Sequence, residues 1–266
     1  MQFRLEGVHK EFGPGQVALA NVDLSVAPGE RVALIGPSGA GKTTLFRMLN
    51  CTLRPTSGRI WIGGDEAVGL YGRRLREVRR RIGTVYQQHN LVPRLKVIHN
   101  VLSGKLGRWS LMGSLASLVR PAELDLAYRA LTDVGIGEKL FSRTDELSGG
   151  QQQRVAIARV LVQDPDVVLA DEPVSSVDPS LATTIVKLLV DISERTKKTL
   201  LVNLHSTELA LGFFPRIVGI KNGRPLFDAP PERVTPELLQ ELYAGYSVGE
   251  SAELPMPSKL GLRACG

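Results

Sequence analysis

The chain has 266 residues, enough for one large domain or one domain with an inserted subdomain, and 43% hydrophobic content supports a substantial core. Lysine and arginine number 33 against 27 acidic residues, a net charge of +6 that suits nucleic acid or an anionic membrane surface, and equally an ordinary basic protein. Two cysteines, Cys51 and Cys265, exclude a disulfide framework and point to a reducing compartment, and no run approaches the ~18 apolar residues of a membrane span, so a membrane role must come through a partner.

Met1-Gln-Phe-Arg-Leu-Glu6 does not read as a secretory leader. Residues 1–30 read as β: Phe3–His9 and Val17–Val26 roughly alternate, and glycines separate them. Arg59–Ile62 is a further short strand, which predicts an antiparallel sheet beside the core. Between these, Val32–Ile35 is a continuous apolar run of the kind buried on both faces of a sheet. Gly36-Pro37-Ser38-Gly39-Ala40-Gly41-Lys42-Thr43-Thr44 follows at once and leads into a helix-like run, Leu45–Leu49. Strand, glycine-rich turn and helix are the setting of a phosphate-binding P-loop. Its glycines let backbone N–H groups approach phosphate oxygens, and the helix turns its positive end to the same anion. Lys42 adds a charge for the β- and γ-phosphates, and Thr43 offers a hydroxyl to Mg²⁺. Cys51 is placed in the same helix as a packed apolar residue.

Arg73–Arg81 is a strongly basic helical stretch, with a solvated face set against a membrane or nucleic-acid patch. Ile82–Tyr86 is the next strand and ends in Gln87, within reach of a metal or water at that strand end. From about 91 to 160 the pattern turns helical. Residues 103–120 interrupt it with Leu106, Trp109, Leu111, Met112 and Leu115, which read either as an exposed docking patch or as core filling. Leu147-Ser148-Gly149-Gly150-Gln151 then opens a helix: Ser148 and Gln151 have the form of a capping box, and the two glycines bare the helix start as a second anion site.

Strands return at Val167–Ala170, Thr199–Leu204 and Ile217–Ile220, and the intervening helical pattern argues for a parallel sheet. Ligands sit at the carboxyl ends of such strands, which brings in Asp171, Glu172 and His205. Asp171 suits the shell of Mg²⁺, Glu172 suits a base acting on water, and His205 a partner for the γ-phosphate or that water. Asn222-Gly223 signals a tight hairpin, and Thr235 caps a terminal helix to Tyr243. After Ser247 the chain reads as a disordered tail.

Gly36–Thr43, Gln87, Leu147–Gln151, Asp171-Glu172, Ser176-Val177-Asp178 and His205, in that order, resemble the nucleotide-binding subunits of ABC transporters. The resemblance implies an α/β fold: a P-loop NTPase core with a mostly parallel sheet and flanking helices, an antiparallel β subdomain, and an inserted α-helical subdomain at about 89–160. The nucleotide-binding domain would span 1–246 and the tail 247–266. ATP and Mg²⁺ are the implied cofactors. By position, Phe12 matches the aromatic that stacks on adenine, and Gln87 the loop residue that touches Mg²⁺ and attacking water. Ser148, Gly149 and Gly150 match the signature that grips ATP held by the opposite subunit, and Asp178 the loop across the dimer interface. Glu172 matches the catalytic base and His205 the switch histidine.

A closer similarity, over residues 3–245, is to the ATP-binding subunits of phosphonate importers. It rests on Tyr86–Leu95, Asn100–Gly107, Leu147–Ala156 and Phe214–Ile217. Departures are Val177 for Leu, Thr43 for Ser, and Ser206-Thr207 where Gln-Val is expected. The implied partners are a second copy of the chain, two transmembrane permease subunits and a periplasmic or extracellular binding protein, with no nucleic acid. The implied place is the cytoplasmic face of the cell membrane, held peripherally. Other subunits choose the cargo, so phosphite or a phosphate ester stand beside phosphonate. A DNA-maintenance or translation ATPase would carry a long coiled-coil insertion or tandem motif sets, and this chain has neither. Glu172 opposes a non-catalytic nucleotide switch.

Overall fold

The computed structural model describes residues 1–109, 112, 123–175 and 177–245. The strands β3 (Arg31–Ile35), β6 (Ile82–Val85), β7 (Val167–Asp171), β8 (Thr199–Asn203) and β9 (Arg216–Lys221) lie parallel, and β10 (Arg224–Ala229) closes one edge antiparallel. The order is β10-β9-β3-β8-β7-β6. Alternate residues of these strands enter two different cores. Val32, Leu34, Leu169, Leu201 and Val218 face one cluster, whereas Ala33, Ile35, Ala170, Val202 and Ile217 face the other. Burial on both faces is why these strands are apolar throughout and do not alternate with polar residues.

On the first face lie helix α1 (Lys42–Leu49) and a second sheet, in the order β2-β1-β4-β5. Its strands are β1 (Phe3–Glu11), β2 (Val17–Val26), β4 (Ser57–Ile62) and β5 (Asp65–Glu66), all antiparallel. The predicted antiparallel sheet is therefore present. Along β2 the residues Leu19, Val22, Leu24 and Val26 are buried, with exposed neighbours between the last three, as a one-sided sheet requires. Helix α2 (Gly72–Arg80) also packs here through Val78. Its basic run divides. Arg79 donates to the Cys51 carbonyl at 2.7 Å, Arg81 beyond the helix pairs with Asp166, and Arg73 pairs with Glu77 on the surface.

The second face carries the helices α3 (Val97–Leu102), α4 (Leu124–Asp133), α5 (Gly149–Gln163) and α6 (Pro179–Thr196), with α7 (Thr207–Phe213) and α8 (Pro236–Tyr243). Helices α3, α4 and α5 pack on one another, the helical segment expected between 89 and 160. Buried Asn100 ties its entry to its exit: the side chain bonds the Val92 backbone through both Oδ1 and Nδ2, and Nδ2 reaches Thr144 Oγ1 at 2.8 Å. The apolar stretch at 103–120 splits. Leu106 and Met112 are exposed, whereas Trp109 packs against the core; Leu111 and Leu115 lie outside the described residues. The tail from 246 onward and Cys265 also lie outside them.

Some boundaries move. Helix α1 stops at Leu49, and Cys51 sits one residue beyond the cap, Asn50, at φ 60°, so it belongs to the turn that ends the helix. Strand β6 stops at Val85, which leaves Gln87 two residues beyond the strand. The hairpin forms as read: Asn222 and Gly223 have φ of 50° and 73°, the paired left-handed conformation of a tight two-residue turn. Thr235 caps α8, its hydroxyl accepting from Leu238 N–H at 3.3 Å.

Candidate nucleotide site

The P-loop leaves β3 and turns into α1 through two places where no side chain fits. At Gly36 (φ 149°) a Cβ would meet the Ile220 carbonyl oxygen at 2.1 Å; at Gly41 (φ 102°) it would meet the Ala18 oxygen at 2.3 Å. The loop is thus pressed between β2 and β9 and needs glycine on both counts. The hairpin tip braces it: Gly223 N–H donates to the Ala40 carbonyl at 3.0 Å and its own carbonyl accepts from Ala20 N–H at 2.9 Å. Gly36, Pro37 and Ala40 are buried, so the crest offered to solvent is Ser38-Gly39, and nothing lies within 4 Å of where a Cβ on Gly39 would be. Thr43 is exposed and Thr44 half-buried at the start of α1.

Lys42 is 4% exposed. Its ammonium donates to the carbonyls of Gly36 at 2.6 Å and Pro37 at 3.0 Å, so it spans the loop from inside. Burial pushes its pKa down, and the charges of Glu172 and Asp171 pull it back up. Asp171 ends β7 and Glu172 follows it. Asp171 Oδ1 accepts from Thr43 Oγ1 at 3.3 Å and from Asn203 Nδ2 at 2.7 Å. Burial raises the Asp171 carboxyl, against these hydrogen bonds, which lower it. Glu172 stands at φ 49°, a left-handed conformation uncommon for a residue with a side chain. Its N–H donates to the Asn203 carbonyl at 3.2 Å, and its carboxylate lies 2.7 Å from His205 Nε2. That contact, ahead of the opposing burial, holds the Glu172 carboxyl below the ordinary range. Backbone strain of this kind gathers at functional sites.

Phe12 lies in the turn after β1, 56% exposed, with Lys10 Nζ over its ring at 5.1 Å from the centre. Gln87 is exposed beyond β6, and β6 pairs with β7 at Val85–Ala170, so it shares the strand-end edge with Asp171. No hydrogen bond among the described residues joins Gln87 to Asp171 or Glu172.

The glycine-rich start of α5 carries the capping box that was read, and it also serves packing. Ser148 Oγ accepts from Gln151 N–H at 3.3 Å, and Gln151 Oε1 accepts from Ser148 N–H at 3.0 Å, a reciprocal capping box. Gly149 is exposed with nothing within 4 Å of a Cβ, whereas a Cβ on Gly150 would fall 2.3 Å from Leu181 Cδ2. The two glycines thus differ: Gly149 keeps the helix start bare, and Gly150 lets α5 approach α6. Gly150→Ala is expected to destabilise the fold by about 1–3 kcal/mol through overpacking, and Gly149→Ala to leave it unchanged. Thermal unfolding of both variants checks this, and equal melting temperatures would remove the packing role. Asp178 caps α6, Oδ1 accepting from Leu181 N–H at 2.9 Å, so it has a structural task beside any interfacial one. Ser206, a departure from the expected pattern, caps α7 through Leu209 N–H at 3.2 Å.

Two residues escaped the sequence reading. Asn203 lay inside the apolar run read as Thr199–Leu204, where a single amide has many readings. Arg159 on α5 reaches the segment after Gln87, donating to the carbonyls of Asn90 at 2.6 Å and His89 at 2.9 Å. Its signal, an arginine amid the apolar half of a helix, was present but has many readings.

The donor chemistry fits a magnesium nucleotide. Thr43 and Asp171 are hard oxygen donors close enough to share one ion, beside an amide-lined loop and a buried ammonium. A P-loop between a strand and a helix, with two acids at the carboxyl end of β7 in the same parallel sheet, defines a P-loop nucleoside triphosphatase. A family model described as ABC transporter matches residues 19–175. The phosphonates import ATP-binding protein PhnC of Pseudomonas fluorescens is 45% identical over 265 residues, 100% of each chain. Its PhnC 2 counterpart in Pseudomonas aeruginosa is 48% identical over 244 residues, 92% of this chain and 91% of the relative. Among solved structures, the dimeric post-hydrolysis ATP-binding cassette MJ0796 bound to ADP and Pi superimposes with TM-score 0.75 at 32% identity, over 86% of this chain and 98% of that one. The ADP conformation of the cassette MJ1267 gives 0.78 at 26%, over 92% and 99%. The chain belongs to the ABC transporter family and is one of its ATP-binding, ATP-hydrolysing cassettes.

Proposed function

We propose that this chain is the ATPase subunit of an importer that takes up phosphonate. The observation that carries the reading is the meeting of Asp171, Glu172 and His205 beneath the P-loop, in a chain that aligns end to end with a phosphonates import ATP-binding protein. The P-loop amides and Lys42 hold the phosphates of ATP, and Phe12 stacks on the adenine. Thr43 and Asp171 would hold Mg²⁺, with Gln87 reaching toward it from the neighbouring strand end, and the ion would supply charge neutralisation to the phosphates. Glu172 takes the proton of the attacking water, and His205 fixes the direction of its carboxylate.

A second copy completes each site. Ser148, Gly149, Gly150 and Gln151 face the ATP held by the partner, in a two-fold pair that Asp178 helps to join. ATP favours the closed pair and hydrolysis releases it, a population shift delivered to two membrane permease subunits. An extracytoplasmic binding protein presents the cargo. Among the described residues no helix is long and apolar enough to cross a membrane. The likeness to importer ATP-binding proteins supports a peripheral position on the cytoplasmic face of the permease.

The test is the chain reconstituted in proteoliposomes with its permease and binding protein. Methylphosphonate is expected to stimulate ATP hydrolysis several-fold; stimulation by phosphite or a phosphate ester alone would reassign the cargo.

A further inference from the structure

Strand β8 runs Thr199-Leu-Leu-Val-Asn203, and all five residues are buried. Leu200, Leu201 and Val202 fill the two cores, and Leu204 continues the apolar run at 0% exposure. Asn203 is also at 0%, an amide where packing alone would favour leucine. Its Oδ1 is buried with no hydrogen-bond partner among the described residues. An unpaired buried acceptor opposes folding, so the amide is retained for what its other end does.

That other end donates from Nδ2 to Asp171 Oδ1 at 2.7 Å, across the register pair Asp171–Asn203 of the parallel strands. The orientation is forced, because the flipped amide would set Oδ1 against a carboxylate. The Thr43 hydroxyl lands on the same oxygen at 3.3 Å. A carboxylate held at one oxygen cannot turn about its terminal bond, so its second oxygen keeps one direction. The backbone of Asn203 acts on the next acid: its carbonyl receives the Glu172 N–H at 3.2 Å. One residue therefore sets both the side chain of Asp171 and the strained backbone of Glu172.

We propose that Asn203 is a positioning residue that fixes the Asp171 carboxylate for the divalent cation, acting from the buried end of β8. The inference rests on the magnesium-ATP reading above. Outer partners of metal-binding carboxylates typically change metal affinity 10–100-fold when removed. Asn203→Leu keeps the volume and deletes the donor, while the backbone carbonyl that holds Glu172 stays in place.

The experiment uses the full chain, a fluorescent ATP analogue and magnesium chloride. Nucleotide binding is titrated with Mg²⁺ and repeated in EDTA, and the melting temperature is taken without nucleotide. Asn203→Leu is expected to shift the Mg²⁺ midpoint upward at least about tenfold, to bind nucleotide in EDTA like the wild type, and to melt no lower. A wild-type midpoint in the folded variant overturns the proposal. So does an equal loss of affinity in EDTA, which would make Asn203 a support of the P-loop itself. If Asn203→Leu does not fold, Asn203→Ser carries the same threshold, its hydroxyl being too short to reach Asp171. Wild-type binding that ignores Mg²⁺ would instead defeat the magnesium-ATP reading, so the two failures are distinguishable.

Discussion

Glu172→Gln is expected to bind ATP with near-normal affinity, to hydrolyse it about 10²–10⁴-fold more slowly, and to accumulate as a closed pair of subunits. The argument starts from shape. Glutamine preserves the length of the side chain, and its carbonyl can accept from His205 Nε2 where the carboxylate now lies at 2.7 Å. The N–H of residue 172 still donates to the Asn203 carbonyl, so the left-handed turn at φ 49° is retained. What disappears is basicity. In the wild type the His205 contact, together with the charge of Lys42, favours the ionised carboxylate, and the base is ready at neutral pH. Single-turnover hydrolysis and light scattering in ATP measure the two effects. Turnover within threefold of the wild type would remove Glu172 from the role of base.

Lys42→Ala is expected to weaken ATP binding roughly 10- to 150-fold, the value of one charge-assisted hydrogen bond at about 1.5–3 kcal/mol. The nucleotide-free fold should keep its melting temperature within a few degrees. The second half of this expectation follows from burial. A lysine whose folded pKa lies below its unfolded 10.5 opposes folding while both states are charged. That penalty fades as pH rises through the folded pKa towards 10.5. Removing the ammonium relieves it, which offsets the two carbonyl hydrogen bonds lost from Gly36 and Pro37. Lys42 thus adds little net stability, the pattern of a residue kept for function. Calorimetric titration with ATP and a thermal melt decide the matter; unchanged affinity would remove Lys42 from the phosphates.

How far such a site can be read without coordinates depends on how its parts are joined. Gly36–Thr43 is contiguous, and each residue type carries its own chemical reason, so the loop is legible as a string. The buried strands Val32–Ile35 and Val167–Ala170 are legible because a strand covered on both faces has to be apolar throughout. Asp171, Glu172 and His205 were found by a rule about strand ends, which needs only the strands. Gln87 was reached through the same strand-end position, whereas Phe12 needed the family likeness, since a lone aromatic has many ordinary uses.

Asn203 was not legible, because it completes an apolar strand and its donor contact lies with a residue 32 positions away. Gly149 and Gly150 looked alike in sequence, and only the approach of Leu181 separates the bare one from the packed one. Trp109 and Leu106 formed one apolar stretch, and only packing sent the first inward and left the second exposed.

By itself the sequence determined the chemistry: a phosphate loop, two strand-end acids, a capped glycine start to a helix and a sheet buried on both faces. These are local properties, set by residue types within a few positions of one another. The tertiary structure alone decided who holds whom. The buried ammonium is drawn onto its own loop, Glu172 is set between His205 and the β8 backbone, and Asp171 is gripped by Asn203 and Thr43. Apart from the ammonium, those contacts join distant segments, the Asp171–Asn203 pair through the register of parallel strands, and no periodicity within a strand encodes which neighbour it will meet.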